Sequence, residues 1–139
     1  MTREERNKHQ REYRHKTRNA CTNKYEKTMS GFLMRKYRNM KSRVLGIQYR
    51  KAHLYKGKDI LPREDFYEWS MSGEFLEMFK EWEESGYDRR LCPTVDRIDP
   101  KLGYVIGNMR WLTHSENSRI GAIHKNLICK LNCKANCND

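Results

Sequence analysis

The sequence predicts an α+β chain in which basic helices are followed by a small unit of two strands and a helix. Residues 28–45 and 73–85 repeat apolar side chains every three to four positions, which is the spacing of one helix face. Residues 94–98 alternate as a strand does, and extended, apolar-rich character resumes at 104–106 and 108–113. Together these two periodicities favour a mixed α+β fold.

The charge of the chain is concentrated at its beginning. The 139 residues carry a formal net charge of +11, and their number predicts one domain, or one small domain with an arm. Residues 1–58 hold 18 Lys and Arg against 4 Asp and Glu, residues 59–99 hold 5 against 12, and residues 100–139 hold 6 against 2. The excess of positive charge predicts an anionic partner, most often a nucleic acid.

The basic half contains two kinds of segment. Residues 3–19 have no aliphatic side chain, so they form either a disordered arm or a helix that its ligand orders. In residues 28–45 the apolar face comprises Leu33, Tyr37, Met40 and Val44, and Gly46 fits the end of the helix. The basic residues of this helix lie mostly off that face and are candidate DNA contacts; they are Arg35, Lys36, Arg38, Lys41 and Arg43.

The acidic middle of the chain is predicted to brace the core. Residues 63–70 and 73–85 place aromatic side chains at helical spacing among acidic residues, whose charge has the wrong sign for contact with phosphate. We therefore expect these aromatic side chains to pack in the core. The predicted organisation is a basic helical DNA-binding arm, an acidic aromatic brace, a strand–strand–helix unit and a cysteine-containing tail, at residues 1–58, 59–90, 91–122 and 123–139.

The chemistry-bearing residues are concentrated in the strand–strand–helix unit. Residues 94–121 are predicted to form a strand, a loop, a second strand and a helix from about 114 to 121, which Thr113 or Ser115 can cap. A hairpin brings Asp96, on the first strand, near Asn117, on that helix. A carboxylate and an amide oxygen with open positions beside them suit Mg²⁺ or Mn²⁺.

The segment VDRID, followed by GY and then by NMRWLTHSEN, resembles the HNH, or ββα-metal, nucleases. It is especially similar to small phage-encoded members and to free-standing homing-type endonucleases of that family. The similarity extends over roughly residues 25–122. The residues of the motif indicate this family only when they occur together. Each residue alone would also fit a turn or the surface of a helix.

The resemblance implies a role for three residues that match the motif. Asp96 corresponds to the metal-binding carboxylate, and Asn117 takes the place of the helix residue that completes the Mg²⁺ or Mn²⁺ site. Asn108 corresponds to the central asparagine, which holds the loop between the strands by backbone hydrogen bonds. Arg110 and Arg119 are further candidate phosphate contacts.

Arg97 is the departure from the family pattern. The family commonly has histidine at this position as the general base, and arginine cannot accept a proton at neutral pH. One interpretation is that Arg97 binds the scissile phosphate while His114, another group or a metal-bound hydroxide activates the water. The alternatives are a slow or conditional nuclease and a binding protein that has lost cleavage.

The tail raises the separate question of a structural zinc. His124, Cys129, Cys133 and Cys137 supply four side chains of the types that bind zinc. Their spacing lacks the paired C-x2-C units of ordinary zinc modules, which disfavours such a site. The other interpretation is a reduced tail with three thiols on one helix face.

The sequence therefore predicts a metal-dependent endonuclease that acts on DNA, with double-stranded DNA as its expected partner. Its alternatives are an impaired or inactive HNH-scaffold DNA-binding protein and a basic protein that docks on RNA. One metal site per chain favours nicking unless the protein dimerises, and the sequence leaves monomer or dimer open. The chain has neither a run of about 18 apolar residues nor a secretory signal. We expect a cytoplasmic protein, in the host-cell cytoplasm if a phage encodes it.

Overall fold

The computed structural model of the chain describes residues 1–136, without the side chains of 132 and 134–136. It contains seven α-helices, a two-stranded antiparallel sheet and two single 3₁₀ turns, at Tyr49–Lys51 and Arg89–Leu91. The helices are α1 (Arg3–Thr17), α2 (Ala20–Glu26), α3 (Met29–Val44), α4 (Ala52–Tyr55), α5 (Arg63–Met71), α6 (Phe75–Glu84) and α7 (His114–Asn136). The strands are β1 (Pro93–Arg97) and β2 (Met109–Thr113). This mixture of helix and sheet is compatible with the predicted α+β class.

The chain divides into two compact units, Met1–Lys36 and Tyr37–Asp139, and the boundary falls within α3. The second unit therefore includes part of the segment that the sequence assigns to the basic arm. In the first unit, α1 is a helix and not a disordered arm, although it buries none of its residues. Its start is fixed by a capping box, in which Thr2 and Glu5 each accept the other's backbone N–H.

Helix α3 has the predicted amphipathic character. Leu33, Met40 and Val44 are buried, because they recur on one helix face. The helix ends at Val44, and Gly46 follows with a φ of +75°, in the left-handed region where a Cβ would be strained. Sequence therefore determines both the apolar face and the end of this helix.

The core of the second unit is largely aromatic. The sequence predicts that the aromatic side chains of the acidic helices pack in the core. This prediction is confirmed for four residues that are all buried, namely Phe66, Phe75, Phe79 and Trp82. The ring of Phe75 lies 4.6 Å from that of Trp111, on β2. Aromatic side chains of α5 and α6 thus pack together against Trp111 of the hairpin.

The two strands pair in one register, in which Asp96 lies opposite Arg110 and Pro93 lies opposite Thr113. Residues 104–106, which were expected to be extended, do not join this hairpin. Instead Tyr104 makes a parallel bridge with Ile60, outside the sheet. A side chain at Gly103 would collide with the backbone of Asp59, so a glycine here permits this close approach.

Helix α7 begins as predicted and continues further than predicted. Thr113 and Glu116 form a capping box at its start, with hydrogen bonds of 3.1 and 3.2 Å. The expected end near residue 121 is wrong, because Gly121 does not adopt a positive φ and the helix continues to Asn136. A glycine inside a helix costs only about 1 kcal/mol. None of the described helices combines the length and the apolar character that crossing a bilayer requires.

Candidate active site

A polar cavity of about 290 Å³ lies beside β1. Its charged, amide and aromatic lining comes from α3, α4, β1, the β1–β2 connection, α7 and the 3₁₀ turn before α4. These residues are Arg43, Lys51, Tyr55, Asp96, Arg97, Tyr104 and Asn117. The structure therefore brings together Asp96, Arg97 and Asn117, which the sequence places up to 21 residues apart.

Asn117 is oriented by the first strand. Its Nδ2 donates to Thr94 Oγ1 at 3.2 Å, and that hydroxyl donates to the Leu112 carbonyl at 2.8 Å. Because its Nδ2 is used in this way, the Oδ1 of Asn117 is the atom of the amide that can accept a hydrogen bond or bind a cation.

Asp96 is paired across the hairpin. The Arg110 Nε donates to Asp96 Oδ2 at 2.9 Å, and the two side chains are 43% and 19% exposed, respectively. The pairing follows from the register, since opposite residues in an antiparallel pair lie close together. Arg110 therefore contacts the predicted metal-binding carboxylate itself, whereas the sequence indicated only a phosphate contact.

Arg97 is held by the protein backbone. Its Nη1 donates to the carbonyls of Leu54, Pro100 and Leu102 at 3.1–3.3 Å. The guanidinium carbon also lies 4.0 Å from the centre of the Tyr55 ring, which is within cation–π distance. Arg97 thus joins α4 to the β1–β2 connection.

Arg43 enters the cavity from α3. Its Nη1 donates to the Tyr104 hydroxyl at 3.2 Å, and its buried Nε has no hydrogen-bond partner among the described residues. The Tyr104 and Tyr55 rings stack at 6.0 Å with an angle of 9° between their planes. Two arginines and two tyrosines therefore form one connected cluster along this wall.

Tyr104 is buried, and burial raises the pKa of its hydroxyl above the ordinary value of 10.0, against the opposing effect of Arg43. A raised pKa in the folded protein contributes stability that is complete below pH 10 and is lost as the pH rises through the folded pKa. We expect urea unfolding between pH 9 and pH 11 to show a loss of stability that is smaller in Tyr104→Phe than in the wild type. Equal losses in the two proteins would contradict this assignment.

Asn108 is buried, and its side chain makes hydrogen bonds to the backbone of the loop between the strands. Its Oδ1 accepts from the Asp99 N–H at 2.8 Å, and its Nδ2 donates to the carbonyls of Asp99 and Gly103 at 3.1 and 2.8 Å. These are backbone hydrogen bonds of the kind that the resemblance implies for this position. Asn108 does not line the cavity.

The remaining candidates lie outside the cavity. His114 is the first residue of α7, one turn before Asn117, and it does not line the cavity. In the first unit Arg35 pairs with Glu26 at 3.2 Å, and Lys36 lies 5.1 Å from the Phe32 ring. Three further candidate DNA contacts are exposed, at Arg38, Lys41 and Arg119.

The proposed zinc ligands are not brought together by the described part of the chain. Cys129 and Cys133 are exposed, free thiols on α7, and Cys137 lies outside the described residues. His124 lies on the same continuous helix, nine residues before Cys133, which is about 13 Å along the axis. One zinc ion with bonds of about 2 Å cannot join those two side chains.

The oxygen atoms of Asp96 and Asn117 decide whether this site suits Mg²⁺ or Mn²⁺. No cluster of three or more His, Cys, Asp or Glu side chains able to hold a metal ion occurs among the described residues. Asp96 and Asn117 line the same cavity and offer two oxygen donors. They fit a hard cation that keeps several waters and also binds a substrate phosphate, which is the usual arrangement for Mg²⁺.

Three of the charged and aromatic residues that line the cavity were not predicted from the sequence, namely Lys51, Tyr55 and Tyr104. Lys51 and Tyr55 are four residues apart, which is the spacing of neighbours on a helix. This spacing is only a weak indication that the two side chains belong to one site. Tyr104 follows the glycine of the GY pair in the motif segment. Comparisons of the chain with models of protein families, with curated proteins and with solved structures found no match.

Proposed function

We propose that this protein is a metal-dependent DNA endonuclease with a ββα-metal, HNH-type site. The observation that carries the proposal is the cavity beside β1, in which Asp96, Arg97 and Asn117 meet two further cationic side chains, Arg43 and Lys51. A hairpin followed directly by a helix, with a carboxylate on the first strand and an amide on the helix, matches the arrangement of the motif that the sequence resembles.

In this proposal the residues in and beside the cavity have separate tasks. Asp96 and the Oδ1 of Asn117 would hold Mg²⁺ or Mn²⁺, which when bound polarises a phosphate and stabilises developing negative charge. Arg110 compensates the charge of Asp96 from the neighbouring strand. The cationic side chains of the cavity orient the phosphodiester, and Asn108 fixes the loop between the strands.

The expected partner is double-stranded DNA. Basic side chains are exposed along α1 and α3, and α1 buries none of its residues, so both helices can contact phosphates. Such contacts are independent of sequence and make affinity fall steeply with salt. We propose nicking of one strand as the basic reaction and a small phage-encoded or mobile-element endonuclease as the biological type.

The test is conversion of supercoiled plasmid to open circles in Mg²⁺ or Mn²⁺. We expect activity in the wild type and a loss of about 100-fold or more in Asp96→Ala, because one metal ligand and the charge that it supplies are removed. Asp65→Ala is the matched control, since Asp65 is an exposed carboxylate on α5 that does not line the cavity. No conversion by the wild type, or equal conversion by wild type and Asp96→Ala, would sink the proposal.

A second candidate function is a DNA-binding protein on the same scaffold without cleavage. Two observations favour it: Asp96 is already paired with Arg110, and no histidine lines the cavity. Calorimetric titration with Mn²⁺, with and without a short duplex, separates the two functions. Heat that disappears in Asp96→Ala supports the nuclease, and tight duplex binding with no Mn²⁺ heat in either condition supports the binding protein.

A further inference from the structure

We infer that Arg43, with Lys51, makes the phosphate contact in this cavity, and that Arg97 is a positioning residue. The inference rests on the proposed function, because it assigns roles within that site. It changes the role that the motif position suggested for Arg97, and it assigns a residue of α3, far outside the motif, to the bound substrate.

The guanidinium of Arg97 is already held by the protein. Three carbonyls accept from its Nη1, one from α4 and two from the β1–β2 connection. The guanidinium also lies over the Tyr55 ring at 4.0 Å. If it turned toward a substrate, the Leu54 and Leu102 carbonyls would lose this charged donor, and the Pro100 carbonyl would keep only Lys58. Hydrogen bonds from a charged donor are stronger than neutral ones, so the loss of all three would be unfavourable. Arg97 is therefore fixed as the link between two segments that line the cavity.

The guanidinium of Arg43 is less fully bonded than that of Arg97. It makes one hydrogen bond, of 3.2 Å, to the Tyr104 hydroxyl, and its buried Nε has no partner among the described residues. An unpartnered buried donor is unfavourable, and a charged acceptor nearby would remove that penalty. Lys51 is exposed, and its side chain makes no ion pair or hydrogen bond with a described residue.

The lining of the cavity has an excess of positive charge. It holds three cationic side chains, Arg43, Lys51 and Arg97, against one carboxylate, that of Asp96. That carboxylate is compensated separately by Arg110. The cationic lining is therefore without a matching anion from the described residues, and a phosphate oxygen is the ligand that would balance it. Tyr104 would keep the Arg43 guanidinium in place for that contact.

The experiment measures two independent quantities without divalent metal. The first is the slope of the logarithm of duplex affinity against the logarithm of salt concentration, from fluorescence anisotropy of a labelled short duplex. Each phosphate contact contributes about 0.9 to this slope. The second is the midpoint of urea unfolding. The variants are Arg43→Gln and Arg97→Gln, with Lys80→Gln as a control for loss of one charge, because the Lys80 side chain is exposed on α6 and does not line the cavity.

We expect Arg43→Gln to reduce the salt slope by about 0.9 and to lower the urea midpoint less than Arg97→Gln does, because it removes one hydrogen bond and not three. Arg97→Gln should leave the slope unchanged and lower the midpoint by about 1 M, because three hydrogen bonds from a charged donor are lost and only the Pro100 carbonyl keeps another side-chain donor, Lys58. If Arg97→Gln does not fold, Arg97→Lys is measured in its place, and its midpoint should also fall. Lys80→Gln should change neither quantity.

A reduced slope in Arg97→Gln with an unchanged slope in Arg43→Gln would overturn the inference, as would an unchanged midpoint in Arg97→Lys. These measurements need no cleavage, so they separate a failure of the inference from a failure of the proposed function. If the plasmid assay shows nicking, Arg97→Gln should lower the nicking rate at saturating DNA while its duplex affinity is retained.

Discussion

Replacing Phe66 by alanine is expected to lower the free energy of unfolding by about 3–5 kcal/mol. Phe66 is fully buried, and its ring lies within 5.7–6.2 Å of the rings of Tyr37, Tyr67, Trp69 and Trp111. Removal of the ring leaves a cavity where α3, α5 and β2 meet. Since small domains have about 5–15 kcal/mol in total, this loss removes a large part of their stability.

The measurement for Phe66→Ala is urea unfolding followed by tryptophan fluorescence and by circular dichroism. Leu76→Ala on α6 is the matched control, because Leu76 is 38% exposed and its truncation should cost clearly less. Phe66→Leu should fall between the wild type and Phe66→Ala, since it leaves a smaller cavity. If Phe66→Ala and Leu76→Ala lost equal stability, the central place of Phe66 in the core would be refuted.

Asn108→Ala is expected to lower the free energy of unfolding by about 2–4 kcal/mol, although alanine removes little apolar surface. Its side chain makes three hydrogen bonds to the backbone of the β1–β2 connection, and the residue is 5% exposed. Without the amide, the Asp99 N–H and the carbonyls of Asp99 and Gly103 lose their partner. The loop that holds Tyr104 should then loosen at the edge of the cavity.

The control for this substitution is Asn126→Ala. Asn126 is exposed on α7, and alanine is the better helix former, so the control should be neutral or slightly stabilising. Urea unfolding gives the comparison, and hydrogen exchange of the amides at 99–104 reports on the loop itself. Unchanged exchange at 99–104 together with unchanged stability would show that Asn108 does not hold the loop.

The helices and the hairpin could be predicted because their signals are local. Leu33, Met40 and Val44 recur at helical spacing, and Thr113 and Glu116 carry a capping box within four residues. The proximity of Asp96 and Asn117 also follows from short-range geometry, since one hairpin and one helix turn lie between them. The end of α7 was mistaken because a glycine stops a helix only when it adopts a positive φ, and Gly121 does not.

The sequence by itself determined the helix faces, the hairpin, the aromatic core and the grouping of Asp96 with Asn117. Only the tertiary structure decided what Arg43 and Arg97 contact. Their partners lie far along the chain, since Arg43 meets Tyr104 61 residues later and Arg97 meets the Leu54 carbonyl 43 residues earlier. The periodicity of apolar residues predicts which face of a helix or strand is buried. Which distant carbonyl or ring a guanidinium contacts depends on how all the elements pack together.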